Sequence, residues 1–191
     1  MAPRTTKQFE EIRTERRAQI LDAALHVFAE EGYHTASVSK IAKRASISKG
    51  LMYNYFTSKE ELLKTIVLEI FEEVMEGMDM KPGEVLTKEK FIHTVHFGID
   101  IAVNNPHRWK LYVSLTFQPD VMPVIMAEMM PHIQPYMKSL SEYFGKKNYD
   151  DPIAMMRIYS AMVDGIQMHC ILDPENFPVQ KAKQLIIDQF A

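Results

Sequence analysis

Cysteine is nearly absent: Cys170 stands alone in 191 residues, so no internal disulfide can form and a reducing cytosol is the expected setting. Long apolar runs are missing too. Uncharged stretches such as 111–119 and 158–163 fall well short of the ~20 residues of a membrane helix, so no membrane partner is expected. The first residues are rich in Arg, Lys and Glu and carry no apolar segment of the kind that directs secretion, which again points to a cytoplasmic location. No strand-like alternation of useful length, internal repeat or low-complexity tract is present. The chain also lacks a nucleophile motif, a paired-carboxylate dyad, a phosphate loop and a metal-ligand cluster, so nothing in it indicates catalysis and no cofactor is expected. His93 and His96, spaced for one helix face with His169 as a third ligand, are too bare a pattern to read as a metal site.

What is present is ordinary in total and uneven in distribution. Hydrophobic residues make up 47% and charged residues 25%, enough to bury a sizeable core. The net charge of −3 divides into two opposite parts. Residues 1–60 hold ten Lys/Arg against seven Asp/Glu, a balance of +3, whereas residues 61–191 hold twelve against eighteen, a balance of −6. A basic module joined to an acidic one is the pattern of a chain whose first part alone is drawn to a polyanion.

Helical periodicity dominates. Residues 13–31 align Ile20, Ala24, Val27 and Phe28, with Gly32 as the stop. Ser37 can cap a short helix striped by Val38, Ile41, Ala42 and Ala45, and Ser48 can cap another with Met52 and Phe56 facing inward. A long helix over 58–78 carries Leu62, Leu63, Ile66, Ile70, Val74 and Met78. The Pro82-Gly83 segment is a turn, and helices are expected over 87–104, 109–117, 121–144, 150–172 and 179–190. Pro123, Pro131 and Pro135 would kink or break the penultimate-but-one of these. The expectation is an all-α chain of about nine helices, with one domain over 1–60, a connecting helix over 58–78, and a second domain over 61–191.

Residues 37–62 hold the chemistry. Two short helices joined by a tight turn suit insertion of the second into a DNA groove, where its first turn must approach base edges. Gly50 removes a Cβ there, Ser48 offers a hydroxyl to phosphate, and Lys49 is the long donor able to reach guanine O6/N7. Tyr53 and Tyr55 can donate to phosphates, and Lys59 can add an ionic contact. Ser37 and Ser39 open the preceding helix, Arg44 closes it, and Arg4, Lys7, Arg13, Arg16 and Arg17 can reach flanking backbone or minor groove. Plain packing of Tyr53, Tyr55 and Phe56 in a core is the competing explanation.

The ordered set Arg17-x-x-Ile20-x-x-Ala23-Ala24, Phe28, Gly32, Ser37-Val38-x-x-Ile41-Ala42 and Ser48-x-Gly50-x-x-Tyr53-x-Tyr55-Phe56-x-x-Lys59-x-x-Leu62 resembles the DNA-binding domain of the TetR (tetracycline repressor) family. The resemblance covers residues 13–63. It implies a three-helix helix-turn-helix domain with contacts from Ser37, Ser39, Lys49, Gly50, Tyr53, Tyr55 and Lys59, followed by a helical domain that binds an effector and dimerises. One departure is Ala45-Ser46-Ile47 where the family turn reads Ala-Gly-Val; a left-handed Ser46 would cost about 1 kcal/mol relative to Gly.

The second half carries no matching motif. Segment 150–172 is apolar nearly all round and needs cover on every side, while 179–190 has a narrower stripe, which together suggest a four-helix interface between two copies. Met156, Val163, Cys170, Ala182, Leu185 and Ile186 are its candidate residues. Two copies would set two reading helices about 34 Å apart, as a palindromic double-stranded operator requires. Nine of the fourteen methionines lie between Met122 and Met168, a pliable lining for an apolar or amphipathic effector, with Phe97, Trp109, Tyr112, Met126, Met130, Met162 and Ile166 as candidates. The composite expectation is a one-component transcriptional regulator, a repressor released by its effector. An effector-independent architectural DNA-binding protein and an all-α carrier or enzyme for an apolar compound stand beside it.

Overall fold

Five helices in this chain begin where a short polar side chain occupies an amide that has no partner within the helix. In the computed structural model, which describes residues 6–191, the oxygens of Ser37, Ser48, Ser58, Thr87 and Asp151 accept from the amide three residues on, at 3.3, 3.1, 3.0, 3.2 and 2.9 Å. The helices are α1 (Thr6–Glu31), α2 (Val38–Arg44), α3 (Lys49–Met52), α4 (Lys59–Gly77), α5 (Lys88–Asn104), α6 (Pro106–Thr116), α7 (Met122–Gly145), α8 (Pro152–Leu172) and α9 (Val179–Phe190). Among the described residues no strand occurs. The all-α expectation, with about nine helices, holds.

Three elements differ from the sequence expectation. Helix α1 starts at Thr6 rather than 13, because Lys7, Gln8, Glu10 and Glu11 are good helix formers and the two apolar residues among them, Phe9 and Ile12, are exposed and mark no buried face. Helix α3 is a single turn, Lys49–Met52, and Tyr53–Tyr55 lie in the turn that follows. Helix α7 runs unbroken through Pro131 and Pro135. These prolines are four residues apart and so share a face, and Ala127 and Pro131, whose carbonyls lose their amide donors, are exposed to water.

The chain forms two compact units that are each discontinuous in sequence. The first comprises the chain through Glu69 with Leu111–Ala127; the second comprises Ile70–Lys110 with Glu128–Ala191. This division differs from the linear one at residue 60, since 61–69 and 111–127 cluster with the N-terminal helices. In the first unit, Ile20, Ala24, Phe28, Ile41, Met52, Phe56, Leu62 and Leu63 are buried, which is the face that their spacing predicted.

The second unit is centred on Phe91, Tyr143, Phe144, Tyr159 and Phe190, packed ring against ring with Ile99, Cys170 and Ile186. Burial pushes the Tyr159 phenol up to about 12. Gly77 lets the Phe97 ring lie against α4, where an added Cβ would fall 1.9 Å from Cζ. His93 Nε2 donates to the Gly77 carbonyl at 3.0 Å. Between α9 and α5, the ammonium of Lys183 is buried, 3% exposed, and pairs with the Asp100 carboxylate.

Candidate nucleic-acid interface

The α1–α2–α3 segment is held by backbone geometry first. Gly32, at φ +87, turns the chain out of α1, and Ala36 N–H bonds the Gly32 carbonyl at 3.1 Å. After α2, Ser46 is left-handed at φ 55. Its N–H reaches Lys43 O at 3.1 Å, and Ile47 N–H reaches back to Ala42 O at 3.0 Å. That pair of bonds is a Schellman closure with serine where glycine is usual, so the turn carries the strain anticipated for Ser46.

Inward, Ile41, Ala42, Ala45, Met52 and Phe56 are buried; outward, Ser37, Ser39, Ser48, Lys49 and Gly50 are exposed. Tyr53 is exposed and Tyr55 half-buried. Among the described residues the Lys49 side chain makes no hydrogen bond or ion pair within the chain, so its ammonium is available to an outside acceptor. Gly50 has an ordinary helical backbone, and a Cβ built on it would meet nothing closer than Ser48 Oγ at 4.0 Å. Neither the turn nor internal packing needs a glycine at 50, although glycine weakens a helix.

Two residues read from the sequence as phosphate contacts are engaged elsewhere. Lys59 Nζ donates to the carbonyls of Tyr33, His34 and Ala36 at 3.0, 2.9 and 3.3 Å and lies 4.7 Å from the centre of the Tyr33 ring. Its charge therefore ties α4 to the α1–α2 loop. Arg44 makes a two-pronged pair with Glu30 at 2.6 and 3.1 Å, locking the end of α2 to α1. The Arg44 guanidinium holds the Glu30 carboxyl below its usual range, with His26 adding to the effect. Arg17 pairs with Glu69 and covers the Phe56 ring at 5.5 Å. Lys7 and Arg13 lie on the exposed start of α1, beside the partly covered Arg16; Arg4 lies outside the described residues.

Sequence reasoning missed two supports. Glu61 accepts from Thr57 N–H and Oγ1–H, both at 2.6 Å, which holds its carboxyl below the usual range; the Ser58-x-x-Glu61 spacing was the available signal. Gln118 reaches the end of α1, and nothing in its sequence context beyond helix termination marked it.

The described segment 20–66 matches the family model of bacterial regulatory proteins, tetR family. Residues 20–66 are a DNA-binding segment of the tetR family. It is 28% identical over 178 residues to the HTH-type transcriptional regulator PksA of Bacillus subtilis (strain 168), covering 90% of this chain and 86% of that protein. It is 42% identical over 84 residues to the fatty acid metabolism regulator protein of the same organism, an alignment that spans only 43% of that relative's length. The structure of the fatty acid degradation regulator FadR from Bacillus halodurans superposes with a TM-score of 0.68 at 24% identity, covering 90% of this chain and 94% of that one, which shows a shared fold.

The second-half candidates are scattered by the structure. Tyr112 and Met126 fall in the first unit, while Phe97, Trp109, Met130, Met162 and Ile166 fall in the second, so no single unit holds all seven. Met126, Met130 and Met162 are exposed; Trp109 and Ile166 are half-buried against the aromatic core. An open, mainly apolar groove of about 790 Å³ in the second unit is lined by Pro82, Gly83, Gln134, Pro135, Met137, Lys138, Ser141, Ile153 and Met156, none of them among those seven.

The interface candidates need correction as well. Met156, Cys170 and Ile186 are 7%, 3% and 0% exposed within a single chain, so they belong to its own core. Burial also raises the Cys170 thiol. Val163 and Ala182 are half-buried, and Leu185 alone of the six is exposed. The outward apolar residues of α8 are Ile153, Ile158, Met162 and Leu172. Among the described residues no group of three or more His, Cys, Asp or Glu is placed to hold a metal, and His169 stacks on Phe177 at 5.3 Å. No helix there is long and apolar enough to cross a membrane.

Proposed function

We propose that this chain is a TetR-family repressor that binds a palindromic operator as a homodimer and leaves it when an apolar or amphipathic effector binds the second unit. The observation that carries the DNA reading is Gly50: a glycine exposed on the first turn of α3, required by nothing inside the chain, beside an unengaged Lys49. Such a residue is accounted for by a surface that must come close from outside, as a DNA groove does. Ser37, Ser39, Ser48, Tyr53 and Tyr55 surround it as positioning contacts to phosphate, with Lys49 as the base-reading donor.

The dimer reading rests on Ile158, Met162 and Leu172 of α8 and Leu185 of α9, four large apolar side chains left in water. The effector class follows from the methionine-rich second half and from relatives named as regulators of fatty acid metabolism and degradation; an acyl compound is therefore the first to test. Effector and DNA then oppose one another, each weakening the other by the same factor. A cytoplasmic location fits this role.

The decisive experiment is fluorescence anisotropy on DNA from upstream of the protein's own gene, with a salt series and with Lys49→Ala. The variant is expected to lose about 1–3 kcal/mol on the preferred fragment and much less on random DNA. Failure of the wild-type protein to bind any such fragment at low salt refutes the reading.

A further inference from the structure

One side chain outside the reading helices spans the end of α1. Gln118 lies in the corner between α6 and α7. Its N–H bonds the Leu115 carbonyl at 3.2 Å, and its own carbonyl accepts from Val121 and Met122 at 3.0 and 3.1 Å. Its main chain thus closes one helix and opens the next. Its carboxamide then reaches into the first turn after α1: Nε2 donates to the Phe28 carbonyl at 2.8 Å, and Oε1 accepts from Tyr33 N–H at 2.7 Å.

Phe28 O belongs to the last turn of α1, and the Tyr33 amide lies just beyond the helix, where donors and acceptors run short of helical partners. Only a group with a donor and an acceptor at this reach can serve both at once; glutamate lacks the donor and methionine lacks both. Loop 32–36 is thereby gripped from two directions. Lys59 takes the carbonyls of Tyr33, His34 and Ala36, and Gln118 takes the Tyr33 amide. The loop leads directly into Ser37, which caps α2, and α2 leads through the Ser46 turn to Ser48, Lys49 and Gly50.

We propose that Gln118 is a positioning residue for DNA recognition: from the α6–α7 corner it fixes the α1–α2 loop and so the aim of α2 and α3. This rests on the DNA-binding reading. Gln118 touches no DNA itself, so its removal acts on specific recognition rather than on charge.

The test compares wild type, Gln118→Met and Gln118→Glu on upstream DNA and on random DNA of equal length, at a temperature where circular dichroism shows each fully folded. Hydrogen exchange at the Tyr33 amide is read in parallel. The methionine variant is expected to lose about tenfold in preference for the specific fragment, the scale of one or two hydrogen bonds. Its salt slope should be unchanged and its Tyr33 amide should exchange faster. The glutamate variant keeps the acceptor for Tyr33 but sets a second oxygen against the Phe28 carbonyl, so its preference should fall at least as far; it also carries the test alone if the methionine variant fails to fold. Faster Tyr33 exchange with wild-type preference overturns the proposal, as does an equal loss on both DNAs. If wild type itself shows no preference, the DNA-binding reading falls instead.

Discussion

Replacing Gly50 with alanine should move stability and DNA binding in opposite directions. The added methyl enters open space, its nearest neighbour being Ser48 Oγ at 4.0 Å, and the backbone there is helical. Alanine is favoured over glycine in a helix by about 0.5–1 kcal/mol. Because α3 is only four residues long, the gain should sit at the lower end, about 0.5 kcal/mol, or roughly 1–2 °C in Tm for a chain of this size. On DNA the same methyl would press into the groove surface that the proposed function sets against α3. Overpacking of one methyl costs about 1–3 kcal/mol, so affinity should fall by a factor of roughly 5 to 150. Urea denaturation followed by circular dichroism measures the first effect, and anisotropy titration on the upstream fragment measures the second. The slope of affinity against salt should not change, since no charge is removed. Affinity within about twofold of wild type would refute the reasoning, because Gly50 would then have no external cause.

Ser46→Gly should stabilise the protein by about 1 kcal/mol, because φ 55 is a conformation that glycine adopts freely; a lower urea midpoint would contradict it. Lys59→Met should cost about 1.5–3 kcal/mol in denaturation through loss of its carbonyl bonds. A phosphate contact would instead leave the urea midpoint unchanged and lower the salt slope by about one. Leu185→Glu, at a position 57% exposed, should leave the monomer's fold intact but convert dimer to monomer in sedimentation equilibrium. Persistence of the dimer would move the interface off α9.

Helices α1 to α3 were legible because local chemistry and tertiary role coincide there. Ser37 and Ser48 announce helix starts, Gly32 announces a stop, and the apolar spacing of Ile20, Ala24 and Phe28 names the buried face. The left-handed turn at Ser46 was legible from its neighbours, although serine is the wrong residue to advertise it. Lys59 and Arg44 read as phosphate contacts because a cation near a recognition helix looks the same in sequence whether it faces phosphate, a carbonyl cage 23 to 26 residues away as Lys59 does, or a carboxylate 14 residues away as Arg44 does. Gln118 was invisible for the same reason at 85 and 90 residues' separation. In α8 the difficulty is symmetry: a helix apolar all round gives no period from which to tell Met156 and Cys170, turned inward, from Ile158 and Met162, turned outward. The proline pair does not break α7, because 131 and 135 share a face on which the carbonyls that lose their donors meet water.

The buried pair of Lys183 and Asp100 bears on how this sequence can vary. An ammonium only 3% exposed cannot lose its carboxylate without being left uncompensated in an apolar surrounding, and the carboxylate gains little from any neutral neighbour. Neither position can drift alone. Homologues should carry both charges, or replace both together by apolar residues of similar volume, while Leu185, two residues on and on the outer side of α9, is free to follow whatever it meets. Covariation between positions 100 and 183, set against independence at 185, would record in the sequences themselves which side of α9 faces its own chain.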